Sequence, residues 1–179
     1  MQYQIAPSSS RSATFPHSWF ILNLIMGHLF AFLIILEIGS AVTILLIPFV
    51  SMSVLAVLWR VAKIKQRHDD WFVAAHWLQM TKRSKILIIA YVVGLSIGTL
   101  AWLIVPPLRG QTVHLVPLFL AGVPIFFGVL ITFVLSGTSM FDAQRGIIGD
   151  QLVQELPPSE AWLAANPLMT ETTSPSTQS

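Results

Sequence analysis

No cysteine occurs in the 179 residues. That absence removes disulfides, thiolate metal sites, iron–sulfur ligation and a cysteine nucleophile, and leaves the redox compartment open. Charge is scarce too: 10% of residues are Asp, Glu, Lys or Arg against 54% hydrophobic, and the mean hydropathy is +0.72. Soluble domains carry about a quarter charged residues, so this composition belongs in a bilayer. The patterns of a metalloprotease (H-E-x-x-H, H-x-x-x-H) and of a Gly-rich phosphate loop are missing. Asp69 and Asp70 are adjacent and would point apart on a helix, so they make no acid–base pair. The chain therefore reads as a non-enzyme with no cofactor and no metal. The net charge is only +2, and the cations flank apolar runs instead of lining a solvated face, which argues against a nucleic-acid partner.

What is present is length of apolar sequence. From Trp19 to Ile64 the chain is apolar almost without interruption, too long for one span of about 20 residues and long enough for two joined by a tight turn. Glu37 to Ser40 is the only plausible turn, with Gly39 and Ser40 as breakers. Spans are placed at about 19–38, 41–62, 86–105 and 115–135, the third stopped by Pro106 and Pro107. The first apolar run exceeds the ~7 to 15 residues of a signal-peptide core, so it is kept as a permanent span. The reading is an all-α, integral membrane four-helix bundle. Residues 1–18 form a polar N-terminal tail, 136–156 a short amphipathic segment, and the Pro-, Ser- and Thr-rich 157–179 a disordered tail.

The cations give an orientation. Seven of the ten (Arg60, Lys63, Lys65, Arg67, Lys82, Arg83 and Lys85) lie within residues 60–85, from the end of span 2 to the start of span 3. With the N-terminus inside, nine cations face the cytoplasm and only Arg109 lies outside, a strong positive-inside bias. Both termini are then cytoplasmic, and Trp71 and Trp77 fit interfacial anchors. Residues 69–85 also have helical order: Phe72, His76, Gln79 and Arg83 fall at i, i+4, i+7 and i+11, a narrow polar stripe. No Gly or Pro intervenes before Gly94, so this cytoplasmic interfacial helix is expected to extend span 3. The stripe is a candidate contact for a lipid phosphate or a partner, with Lys82 and Lys85 adding attraction to anionic headgroups; an ordinary basic flank is the plainer reading.

Inside the spans, Ala90, Gly94 and Gly98 make a small-xxx-small face suited to close helix packing, within this bundle or against another protein. His28 is a candidate intramembrane polar site. A haem would need a second axial histidine at matching depth, and spans 2, 3 and 4 contain none. Pro48 and Pro124, with Gly122 and Gly128, are compatible with the interrupted helices of transporters or with tolerated kinks.

The order of features around span 2 carries a resemblance. "LWRVAKIKQRHDDW", then "WFVAAHW", then "LQMTKRS" entering the next span, with a looser echo in "FVLSGTSMFDAQRG", resembles a family of small bacterial four-helix membrane proteins distantly similar to the four-helix subunit of the plastid inner-envelope protein translocon. That family places Gln about four residues after the His and follows it with Arg-Thr, whereas here Gln79 is three after His76 and "TKRSK" follows. The resemblance covers about residues 44–105 and implies a four-helix membrane bundle, a bacterial inner-membrane location and no reaction. Only His76, Gln79 and Arg83 correspond to its pattern. The functional expectation is a scaffold or accessory subunit, in contact with lipid and with a membrane-protein partner or a second copy; a small transporter, channel or holin-like pore is the alternative.

Overall fold

The computed structural model describes residues 1–30, 33, 46–68, 70–104 and 115–169. Its helices are α1 (Pro7–Leu24), running into a π-helical turn (Ile25–Phe30), α2 (Leu46–His68), α3 (Trp71–Ile104), α4 (Leu115–Gln144) and the short α5 (Asp150–Glu155) and α6 (Glu160–Ala165). Three of them are long and apolar enough to cross a membrane, over Leu46–Arg67, Trp71–Ile104 and Val116–Gln144. The turn expected at Glu37 to Ser40 and the loop holding Arg109 lie outside the described residues.

α3 is one unbroken helix of 34 residues, as the lack of breakers before Gly94 leads one to expect. At 1.5 Å per residue it is about 51 Å long, against about 30 Å for a hydrocarbon core. Set upright across such a core, it would leave about two fifths of its length outside. Its burial divides accordingly. Every buried residue of α3 lies between Phe72 and Gly94, whereas Leu100, Trp102, Leu103 and Ile104 are all exposed, as lipid-facing side chains are.

α3 and α4 run antiparallel at very close range. A methyl group built on Gly94 would sit 2.6 Å from the Ala121 carbonyl oxygen and 2.8 Å from Ile125 Cγ1; on Gly98 it would sit 2.8 Å from Ala121 Cβ. Gly128 meets Ala90 just as tightly. The series Ala90, Gly94, Gly98 is thus a seam within this chain, where small residues let backbones approach and packing replaces the missing hydrophobic drive.

The inner face of α4 follows from the same spacing. Gly128, Thr132, Ser136, Ser139 and Ala143 are buried in steps of four, four, three and four residues, the period of one helical face, and all are small. α1 covers this face with a stripe of its own: Ala13, Pro16, His17, Phe20, Asn23 and Leu24 are buried. Ser10 Oγ donates to the Ala143 carbonyl at 3.0 Å, which ties the start of α1 to the end of α4.

Beyond the spans the chain builds a head, and here the structure corrects several expectations. The N-terminal 18 residues are not a loose tail: α1 starts at Pro7, and Tyr3 is 2% exposed. Residues 1–4 lie between two segments, with Tyr3 N–H donating to Gly146 O (2.9 Å), Ile148 N–H to Met1 O (2.9 Å) and Gln4 N–H to Pro167 O (3.0 Å). Gly146 sits at φ +72°, a conformation that favours glycine, with the Tyr3 carbonyl packed against its open side. α4 continues past residue 135 to Gln144, so the amphipathic helix expected at 136–156 shrinks to α5. Nor is the chain disordered from 157: α6 is capped by Ser159, whose Oγ accepts from Trp162 N–H at 3.2 Å. Residues 170–179 lie outside the described part.

Aromatic packing explains the order. Trp162 packs on Trp71 with centroids 4.5 Å apart and the rings tilted at 58°, and Tyr3 meets Trp71 and Trp162 edge-on at 5.7 and 5.3 Å. The Trp71 indole donates to Leu156 O at 2.7 Å and that of Trp162 to Asp70, so both polar tips are satisfied. Trp77 is 2% exposed. These tryptophans hold the head together and do not serve as free interfacial anchors.

Candidate functional site

Two polar layers lie inside the helices, both hung on α1. The first is built around His17 and His76, 0% and 1% exposed. His17 Nε2 and His76 Nδ1 are 3.1 Å apart and share a hydrogen bond, with the rings edge-on at 5.4 Å; Phe72, fully buried, packs its ring on His76 at 4.7 Å. Burial pushes the His17 imidazole well below its ordinary range, and the positive poles of His76 and Arg83 push the same way. The pair is therefore neutral. One ring donates and the other accepts, so of the two outer nitrogens one carries a proton and the other a lone pair, whichever tautomers are adopted.

The polar stripe read from the sequence is consequently turned inward. Phe72 and His76 belong to the core and cannot touch a partner from the outside; Gln79 and Arg83 are half-buried. The physical reason is α1, whose apolar and polar positions cover the 71–91 half of α3, an element the sequence pattern assigned to tail and membrane.

Hydrogen-bonding capacity goes unused at several buried atoms among the described residues: His17 Nδ1, Asn23 Oδ1, His76 Nε2, Gln79 Oε1, Arg83 Nη1, Ser136 Oγ and Ser139 Oγ are sealed from solvent without a partner. The two serines are placed by the seam: eleven residues on from Gly128 is Ser139, and eleven back from Ala90 is Gln79, so antiparallel helices of equal rise bring them to one level. Helix hydroxyls can bond back to a carbonyl one turn earlier, as the buried Thr132 does here at 2.7 Å and the more open Thr81 and Thr138 at 3.0 Å; Ser136 and Ser139 do not. Arg83 forms no ion pair among the described residues, although Asp142 acts on it through space. Beside the layer opens a cavity of about 420 Å³ lined by Gln79, Lys82, Arg83 and residues 149–152, with Lys82 paired to Glu155 at its rim.

The second layer is deeper in the bundle and is largely satisfied. Asn23 Nδ2 donates to Ser51 Oγ at 3.0 Å. His28, on the π-helical turn, bonds the Leu24 carbonyl through Nδ1 at 3.1 Å and Tyr91 Oη through Nε2. Its ring lies parallel to that of Tyr91 with centroids 5.8 Å apart. His28 is thus a tethered group joining the first helix to α3. Ala90, Gly94 and Gly98 belong to neither layer. The run Gly94-Leu-Ser-Ile-Gly98, whose spacing matches the nucleophile elbow of hydrolases and which the sequence reading passed over, lies mid-helix with Ser96 exposed. A nucleophile elbow needs a strand-to-helix turn.

Sequence reasoning picked out His76, Gln79 and Arg83 and missed His17, Ser136 and Ser139. A signal existed for the serines, since they continue the small-residue period of Gly128 and Thr132. Nothing in the pattern marked His17, which sits in a polar run. Comparison with protein families, curated proteins and solved structures finds no match.

Proposed function

We propose that this chain is a non-enzymatic, multi-span inner-membrane protein that serves as a scaffold or accessory subunit of a membrane assembly, with both termini cytoplasmic. The observation that carries the reading is the ordered head carried on α3, a single helix that runs from the head core at Phe72 to exposed apolar side chains at Ile104. Such a build holds a shaped surface at a fixed height above the bilayer. The cation bias between spans 2 and 3 supports its cytoplasmic orientation, and the resemblance to small bacterial four-helix membrane proteins agrees with a binding role and no reaction.

The test is photo-crosslinking from exposed head positions, Gln154 and Leu163, because Phe72 and His76 are buried. One reproducible membrane-protein partner, together with a particle much heavier than 19.8 kDa plus its micelle after gentle extraction, is the expected result. A monomer that captures nothing overturns it. The alternative of a transporter or pore draws on Pro48, Pro124 and His28, and has less support because His28 is engaged on both ring nitrogens.

A further inference from the structure

The cations of the molecule are divided between two sides of α3. Together α2 and α3 carry Arg60, Lys63, Lys65, Arg67, Lys82, Arg83 and Lys85 and no Asp or Glu. The head takes up two of them: Lys82 is paired with Glu155, and Asp142 acts on Arg83. Arg60, Lys63 and Lys85 are exposed and form no ion pair among the described residues. The described carboxylates sit elsewhere. Asp142 is at the end of α4, Asp150 and Glu155 are in α5, Glu160 is in α6, and Asp70 holds the Trp162 indole.

One hydrogen bond fixes where the free cations point. The Trp59 indole on α2 donates to Ser84 Oγ on α3 at 2.7 Å, so these two residues face each other across the antiparallel pair. Each further residue turns a helix by about 100°, and in antiparallel neighbours the two turns go to the same side. Arg60 and Lys85, one residue on from Trp59 and Ser84, therefore emerge together, and Lys63 follows one turn along α2. α1 covers the opposite side, where Ser51 meets Asn23. One and two turns beyond Lys85 on its own side are Ile89 and Val92, 61% and 60% exposed. Height follows from length. The stretch of α3 from Lys85 to the exposed Ile104 is about 30 Å long, the thickness of a hydrocarbon core. Lys85 and Arg60 then stand at the level of the lipid phosphates, with Ile89 and Val92 among the acyl chains.

We infer that this side of the α2–α3 pair is a site for an anionic phospholipid, with Arg60, Lys63 and Lys85 on its phosphate and Ile89 and Val92 along an acyl chain. Charge complementarity carries the choice of occupant. Each cation at a charged membrane surface adds roughly a fivefold preference, and no carboxylate on either helix offsets it. Phosphatidylcholine would bring its own ammonium to the same cations, and an acidic protein segment would match the charges and leave Ile89 and Val92 uncovered. A plain basic flank that only orients the chain would not distinguish these three cations from others. The inference rests on the membrane-spanning part of the reading above and not on the accessory-subunit role.

The experiment uses the full-length chain in nanodiscs of equal phosphatidylglycerol and phosphatidylcholine. After transfer to a zwitterionic detergent, native mass spectrometry counts each lipid retained. Phosphatidylglycerol is expected to exceed phosphatidylcholine about tenfold or more. Arg60→Gln and Lys85→Gln each lower its retention about fivefold, whereas Arg145→Gln, which removes an exposed cation near the carboxylates of the head, leaves it unchanged. Equal retention of the two lipids, or equal losses in all three variants, overturns the inference. A second measurement places a photo-reactive residue at Ile89 in cells. Capture of an anionic phospholipid supports the site, and capture of a protein in its place overturns it. Failure here leaves the accessory-subunit reading standing, because that reading is tested from Gln154 and Leu163 on the head.

Discussion

The two polar layers of α1 are six residues apart in sequence and opposite in state. At Asn23 and His28 most buried groups find partners on α2 and α3, namely Ser51 and Tyr91, and Asn23 Oδ1 is left over; at His17 the bond to His76 forms, and the outer nitrogen of each ring stays unused. Each layer has a buried centre, Asn23 with Ser51 in one and His17 with His76 in the other, so desolvation costs both centres alike. What differs is how many bonds cross between helices. The Asn23 and His28 layer fixes the register of helices in a medium where apolar contact alone does not choose one, whereas the His17 layer does so through the single His17–His76 bond.

That contrast rests first on the seam that sets the level of Ser139 against Gln79. Gly94→Leu places a side chain where a Cβ already meets the Ala121 carbonyl at 2.6 Å. It is expected to cost about 3 kcal/mol or more, beyond the usual overpacking range because backbone and not a flexible side chain must yield. Thermal unfolding in detergent measures it, and a variant as stable as the parent would mean the seam is not closed. Ser51→Ala strips a partner from Asn23 and should cost about 1–3 kcal/mol. The corresponding change in the other layer, Ser136→Ala, removes a hydroxyl that bonds to nothing in the chain, and in ligand-free protein it should be neutral or slightly stabilising. Equal losses from the two serine variants would erase the distinction between the layers.

Acidity probes the same difference more gently. His17 is held neutral in the folded state, with its pKa below the ordinary value. Its contribution to stability is therefore complete above the unfolded value of about 6.5, and it is lost as pH falls from there towards the lower folded value, because the unfolded chain takes up the proton first. Head unfolding followed by tryptophan fluorescence should be insensitive to His17 above neutrality and grow easier between pH 6.5 and 5. His17→Phe should reduce that slope and leave the part due to His76, which burial also holds below its ordinary value; a slope as steep as in the parent would place the proton uptake elsewhere.

Much of the membrane part was legible in the sequence. Long apolar runs, the absence of breakers between Trp71 and Gly94 and the small-residue series predict long helices in close contact, because in lipid every backbone group must bond within its own helix and only small side chains permit such an approach. The site was half legible: His76, Gln79 and Arg83 share a face by helical spacing alone.

The head was not. "MQYQIAPSSSRSATFPHS" is polar enough to pass for a tail, and the Pro- and Ser-rich run after Leu156 for a disordered end. They are ordered by partners far away in the chain: Tyr3 and Trp162 on Trp71, Met1 on Ile148, Ser10 on Ala143. Which face of α3 turns inward was likewise decided by α1 arriving from outside the local pattern, since a helix presents its stripe but does not say what covers it. The sequence by itself determined an apolar, helical chain with helices long and apolar enough to cross a membrane, through local backbone chemistry and hydropathy. Only the tertiary structure decided that His17 meets His76 and that Ser136 and Ser139 are buried, because contacts between distant segments depend on how helices pack, and no short window of sequence contains that information.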